Sequence, residues 1–257
     1  MKDPQFSAPG AQALDRALDL LELIARHDGN LPLDAIAGSI GIPLSTAYRL
    51  VGRLEARGLV VRVARGRYRL GLSAAVLAQG LDPKALLAEI ARPQIAKLAR
   101  ATTRTGHLGV FEADMVTYLI KEGGRHNLLT REMMQLEAYC SAIGKVLLAY
   151  QDDEARERYL AAGPFVALTD RTITDPARLR DHLVEVRTQG HAIDDGEVAD
   201  GLFCVAIPIR RRDGTVIAAL SSSASDDRAE GRVEDLLAAL RLCAAEIERR
   251  ANGSAVT

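Results

Sequence analysis

Apolar residues recur at helical spacing through Leu14, Ala17, Leu18, Leu21, Ile24 and Ala25, which predicts a helix ending near Arg26, before "HDGN". Asp34 to Ile40 reads as a second short helix stopped by Gly41. A third begins at Pro43 or Leu44 and runs to about Arg57, where Gly58 takes the usual C-terminal position. The pattern then switches to strand spacing. Val60, Val61 and Val63, followed by Tyr68 and Leu70, predict two short strands joined by a tight "ARGR" turn at Gly66.

"SAAVLAQGLDP" predicts a connecting helix broken at Gly80. Asp82 is a good N-cap, with Pro83 at the first helical position. The helix that follows runs to about Ala101 and places Leu86, Leu87, Ile90, Ile95 and Leu98 on one side, with Pro93 positioned to kink or divide it. Hairpins and helices then alternate. "GHLGVFEADMVTYLIKEG" turns at Glu112–Asp114, "SAIGKVLLAYQ" is a helix with a small-residue entry, and Asp175, Pro176 and Gly190 bound another. A long hairpin turns at Asp213-Gly214, and an amphipathic helix closes the chain. Residues 1–10 are polar with Pro and Gly, which predicts a disordered tail.

Charge changes the picture more than composition does. The net charge is −1, but residues 41–80 carry seven arginines against one acid, while residues 81–257 carry 23 basic and 27 acidic residues. A basic patch joined to a mildly acidic body predicts that an anionic macromolecule meets one end only. Cys140, Cys204 and Cys243 are too few and too far apart for a disulfide framework, so reduced thiols are expected. "MKDPQFSAPG" lacks the apolar core of a signal peptide, and no apolar run approaches bilayer length. The expectation is a soluble cytoplasmic protein without membrane contact.

Three helices and a hairpin in about 60 residues make a winged helix-turn-helix, whose third helix enters the major groove while the wing touches flanking backbone. Ala47, Leu50, Val51 and Leu54 supply the third helix's buried face. Ser45, Thr46, Tyr48, Arg49 and Arg53 are left toward DNA, and Arg65 and Arg67 at the wing tip suit phosphate or minor-groove contact. Arg57, beside the Gly58 stop, fits a complement to the helix's negative end.

With these elements in place, the chain resembles the IclR family of bacterial transcriptional regulators over residues 11–250. Four stretches carry the resemblance: the winged segment "RALDLLELIARHDGNLPLDAIAGSIGIPLSTAYRLVGRLEARGLVVRVARGRYRLG", then "SAIGKVLLA", "GHAIDDGEVADGLFCVAIPI" and "GTVIAALSSSAS". It implies an α+β chain. A DNA-binding domain at 11–72 and a linker helix at 73–84 would precede an effector-binding, GAF/PAS-like domain at 85–252 with a curved antiparallel sheet. It further implies a homodimer or dimer of dimers that binds double-stranded operator DNA as repressor, activator or both. A small organic or aromatic acid would act as effector.

Position by position, the resemblance implies that the helix-start amides of Ala142 and Ile143 receive a carboxylate, with Ser141 and Gly144 beside them. It adds Asp194, Leu202, Cys204, Ser221 and Ser223, the two serines sharing one face of a strand. His107, opening the first strand of that domain, is expected to face the same pocket. Cys204 and the serines fit an ordinary buried sheet as well, and Asp194 fits a helix N-cap. His191 replaces the family's aromatic residue, Gly196-Glu197 its acidic pair, and "QLEAYC" its small-Pro-Leu-His pattern; Ile143 is bulkier than the family's usual residue. These departures bear on the ligand.

Other chemistries have less behind them. A thiol enzyme using Cys204 or Cys140 with His107 or His191 matches no catalytic spacing. A metal- or thiol-responsive sensor built on Cys140, Cys204, His107 and His191 lacks a short paired spacing. No cofactor, metal or catalytic residue is expected.

Overall fold

A computed structural model of the chain describes residues 9–123, 130–225 and 232–253. Most of the expected tail falls outside these residues, and Pro9 and Gly10 already belong to the first helix. The chain divides into two compact units, which meet between Leu81 and Asp82.

The first unit runs α1 (Pro9–His27), α2 (Leu33–Ser39), α3 (Leu44–Ala56), β1 (Val60–Ala64), β2 (Arg67–Leu70) and α4 (Leu72–Leu77). The strands pair antiparallel as the wing. The third helix buries Ala47, Leu50, Val51 and Leu54 against Leu20 and Ile24 of α1, Leu33 and Ile36 of α2, and Val60 and Tyr68 of the wing. Gly58, with φ of +68°, takes the left-handed conformation that ends α3. The predicted side of α1 is buried in part. Ile24 is buried and Ala17 and Leu21 pack against the core, but Leu20 joins them, and Leu14 and Leu18 are exposed. Leucines and alanines occupy more than half of this helix's circumference, so periodicity offers two candidate faces and only packing chooses.

The connecting helix and the helix expected to follow the break at Gly80 are both present. The short α4 ends at Leu77, and α5 (Pro83–Thr102) starts after Gly80 and belongs to the second unit. The Asp82 carboxylate caps α5 by accepting from the Lys84 and Ala85 amides. Pro93 does not divide α5. Pro93 lies on the exposed side of the helix, away from the face that packs on the sheet.

The second unit is built on a six-stranded antiparallel sheet, order β5-β4-β3-β8-β7-β6. Its strands are β3 (Thr105–Glu112), β4 (Met115–Gly123), β5 (Gln135–Glu137), β6 (Ala192–Asp195), β7 (Leu202–Arg210) and β8 (Val216–Ser225). Helices α5 and α9 (Arg232–Ala251) cover one face through Ile95, Leu98, Leu240 and Ile247. The other face meets α6 (Ala142–Ala149) and, beyond it, α8 (Pro176–Gln189), through Val146, Leu147, Leu179 and Leu183. The remaining helix, α7 (Asp153–Leu160), escapes sequence reading because Tyr159 and Leu160 are its only buried residues.

Candidate functional site

In the first unit, Ser45, Tyr48, Arg49 and Arg53 are exposed on α3, Thr46 is half-buried, and Arg65 is exposed at the wing turn. Arg49, Arg53 and Arg65 form no ion pair with any described residue. Tyr48 approaches the wing: a Cβ at Gly66 would lie 3.7 Å from its hydroxyl oxygen. Arg67 departs from expectation. It is half-buried, and its Nη1 donates to the carbonyls of Gly29 (3.1 Å) and Asn30 (2.7 Å). The Leu33 amide donates to Gly66 O at 2.8 Å, and Arg69 pairs with Asp28. Arg67 thus fastens the wing to the α1–α2 connection, whereas Arg65 stands free at its tip.

In the second unit, strand register assembles a polar floor. Asp194, Cys204 and Ser223 are partners across β6, β7 and β8, and Ser221 and His107 are partners on the next same-facing rung. The first turn of α6 lies over this floor. A side chain at Gly109 would collide with Ile143, so the bare backbone lets the helix sit against β3. Between floor and helix is a cavity of about 320 Å³, lined by His107, Ser141, Ala142, Ile143, Asp194, Leu202, Cys204, Ser221 and Ser223. These are the expected effector residues with one exception. Gly144 is absent from the lining: its amide donates to Ser141 Oγ at 3.1 Å, and a side chain there would overlap the Ala138 backbone. Its role is to let α6 start against the preceding segment. The amides of Ala142 and Ile143, the first two of α6, have no acceptor among the described residues.

Sequence reading missed Tyr118, Thr130, Met134, Leu136 and the rim from Val198 to Gly201. A bulge in β3–β4 places Tyr118 opposite Gly109, on the His107 side. Its ring meets the imidazole edge-on, centroids 5.2 Å apart. Strand alternation alone does not reveal a bulge. Thr130, Met134 and Leu136 lie in "LLTREMMQLE", which has no clear period.

Burial sets the electrostatics. It pushes the Asp194 carboxyl up to about 6, against the opposing pull of the Glu197 amide and the Lys145 ammonium. The Glu197 amide donates to Asp194 Oδ1 at 2.7 Å, and the Val198 amide at 3.4 Å. Burial, with Lys121 as a lesser cause, pushes His107 down to about 3, so its ring is neutral. Its Nε2 is 2.9 Å from Thr130 Oγ1. Lys145, fully buried on α6, donates to Glu197 Oε1 and to the Ile193 carbonyl.

The thiols are poor nucleophiles. Burial pushes Cys140 up to about 12 and raises Cys204 further, so the thiolate needed for thiol chemistry is disfavoured. No group of three or more His, Cys, Asp or Glu disposed to hold a metal occurs among the described residues. Nor is any described helix long and apolar enough to cross a membrane.

A winged helix-turn-helix, joined to a separate sheet domain whose cavity has apolar walls and a polar floor, defines the class of ligand-binding transcriptional regulators. Comparison with known proteins gives the family. The model described as "Bacterial transcriptional regulator IclR C-terminal" matches residues 83–249, and the "IclR helix-turn-helix domain" matches residues 13–64. The chain belongs to the IclR family of transcriptional regulators.

Among its relatives, the HTH-type transcriptional regulator BhcR of Paracoccus denitrificans is 34% identical, over 83% of this chain and 77% of the relative. The acetate operon repressor of Salmonella typhimurium is 30% identical, over 92% of this chain and 88% of the relative. A solved IclR homologue from Microbacterium hydrocarbonoxydans, complexed with 4-hydroxybenzoate, is 28% identical with a TM-score of 0.61, covering 92% of this chain and 97% of that one.

Proposed function

We propose that this regulator is controlled by a small carboxylic acid held in the cavity of its second unit. The observation that carries this reading is the pairing of two unengaged helix-start amides, on Ala142 and Ile143, with a floor of buried side-chain polar groups. The amides suit a carboxylate, and Ser221, Ser223 and Cys204 suit the rest of a polar ligand. A cavity of about 320 Å³ is at the small end for ligand sites, about 300–1,000 Å³, which favours a compact acid. The bound 4-hydroxybenzoate of the Microbacterium homologue adds an aromatic acid to the candidates.

On the DNA side, Ser45, Thr46, Tyr48, Arg49 and Arg53 read the major groove of an operator, with Arg65 on the flanking backbone. The working form is a homo-oligomer, supported by the exposed Leu14 and Leu18 of α1 and Leu72, Val76 and Leu77 of α4, an unusual amount of apolar surface for two helices. Acid binding shifts the balance between arrangements with different operator affinity, and represses or releases transcription accordingly.

A thermal-shift screen of the full chain against aliphatic and aromatic acids tests the ligand class. One or more acids should raise the melting temperature of the wild type and not of the Ser223→Ala variant. If amines or neutral compounds stabilise the protein and no acid does, the reading is wrong.

A further inference from the structure

The cavity contains a polar atom that a carboxylate at the helix start does not satisfy. Asp194 is 1% exposed and lines the cavity. Its Oδ1 is occupied by the Glu197 and Val198 amides, which fix the orientation of the carboxyl group. Its Oδ2 is buried and has no hydrogen-bond partner of normal geometry. The Cys204 thiol beside it is a weak donor. Two stronger donors line the same cavity, the Tyr118 phenol on β4 and the Ser223 hydroxyl on β8, and neither makes a hydrogen bond with Oδ2. Lys145 on α6 is held by Glu197 and the Ile193 carbonyl. Glu197 itself, in the turn after β6, is an acceptor. The Cys140 thiol, ahead of α6, is turned toward the Glu137 carbonyl.

An orphaned buried carboxylate oxygen is costly unless something donates to it. Since only the weak Cys204 donor engages Oδ2 and no hydroxyl of the cavity wall does, the ligand is the natural source. From this unpartnered oxygen we infer that the effector is a hydroxy acid, whose hydroxyl donates to Asp194 Oδ2 while its carboxylate sits at the start of α6.

This rests on the acid reading above and narrows it. A keto acid of the same size would present only lone pairs to Asp194 Oδ2, and a deoxy acid would present nothing. His107 adds a second point of contact. It is 2% exposed, lines the cavity, and has an unpartnered Nδ1 while Nε2 is tied to Thr130. A neutral imidazole can present Nδ1 as donor or acceptor by changing tautomer, so His107 tolerates either kind of substituent. Discrimination between hydroxyl and carbonyl therefore falls to Asp194, which has a single role when ionised. Above pH 7 its carboxyl, which titrates near pH 6, is ionised.

The test is calorimetric titration of the full chain at pH 8 with matched probes: 3-hydroxybutyrate, acetoacetate and butyrate, lactate, pyruvate and propionate, and 4-hydroxybenzoate and benzoate. The hydroxy member of at least one set should bind ten-fold or more tighter than its partners. Asp194→Asn sharpens the test, because the fixed amides hold the Asn carbonyl in the Oδ1 place. The side-chain NH₂ then stands where Oδ2 was, so the variant should reverse the order and favour the keto acid. A wild type that binds the keto or deoxy acid as tightly as the hydroxy acid overturns the inference and leaves the acid reading standing. Failure of every acid in the thermal-shift screen removes both.

Discussion

Lys145 and Glu197 form a buried ion pair that ties the first turns of α6 to the turn after β6. These two segments bound the cavity from opposite sides, through Ala142 and Ile143 on one and Asp194 and Val198 on the other. The pair therefore fixes the spacing between the proposed carboxylate site and the proposed hydroxyl site. Glu197 is raised by burial, an effect that Lys145 opposes.

Breaking one half leaves the other charge buried without its partner, which in comparable sites costs about 3–5 kcal/mol. Lys145→Met should therefore lower the melting temperature by roughly 10 °C, at about 2–4 °C per kcal/mol for a chain of this size. Lys145→Met with Glu197→Leu should recover much of that loss by removing both charges, while still failing to bind the acid tightly. Differential scanning calorimetry of the two variants checks the first part and titration the second. A single variant as stable as wild type would show that the pair does not brace the cavity.

Asp194 predicts an opposite trade between stability and binding. Its carboxyl titrates near 6 in the folded chain against an ordinary value of 3.8, so the folded state holds a proton that the unfolded state has lost between these limits. Stability contributed by the protonated form is complete below about pH 4, is lost as pH rises toward 6, and stays lost above it. About two units correspond to about 3 kcal/mol at most. The ligand-free Asp194→Asn variant should gain melting temperature relative to wild type as pH is raised from 5 to 8. An unchanged difference across that range would mean that the carboxyl is not strained by burial.

The basic wing separates two roles that look alike in sequence. Arg65→Ala should leave the melting curve unchanged and reduce the salt dependence of DNA binding by about one phosphate contact. Arg67→Ala should instead destabilise the first unit by about 1 kcal/mol, through loss of its bonds to the Gly29 and Asn30 carbonyls. Salt-dependent anisotropy, with a melting curve for each variant, distinguishes them. The pattern reversed would place Arg67 on the DNA and leave Arg65 without a role.

These cases show where sequence reading reaches and where it stops. The third helix was legible in full, because its apolar residues at 47, 50, 51 and 54 leave a single face to bury. The cavity floor was legible through the resemblance and the two-residue strand period, which bring Cys204, Ser221 and Ser223 to one side. What escaped depended on long-range register. Tyr118 reaches the cavity through a bulge, and Arg67 turns inward because two carbonyls 37 and 38 residues away lie within its reach. Lys145 stood in the sequence as part of a motif, but its partner 52 residues on belongs to another element. Gly144 was expected beside the ligand-binding amides, and its closeness to Ala138 gives a packing reason for glycine there.

The most direct measurement couples the two units. Selection from a random duplex pool yields a DNA sequence for the wild type, and anisotropy then gives its affinity with and without an acid that stabilises the protein. The expected result is a change of about five-fold or more in Kd on saturation with acid, within the usual range of allosteric coupling, with Asp194→Asn needing a different acid concentration to reach it. An acid that binds the wild type to saturation and leaves its DNA affinity unaltered would contradict ligand control of this regulator.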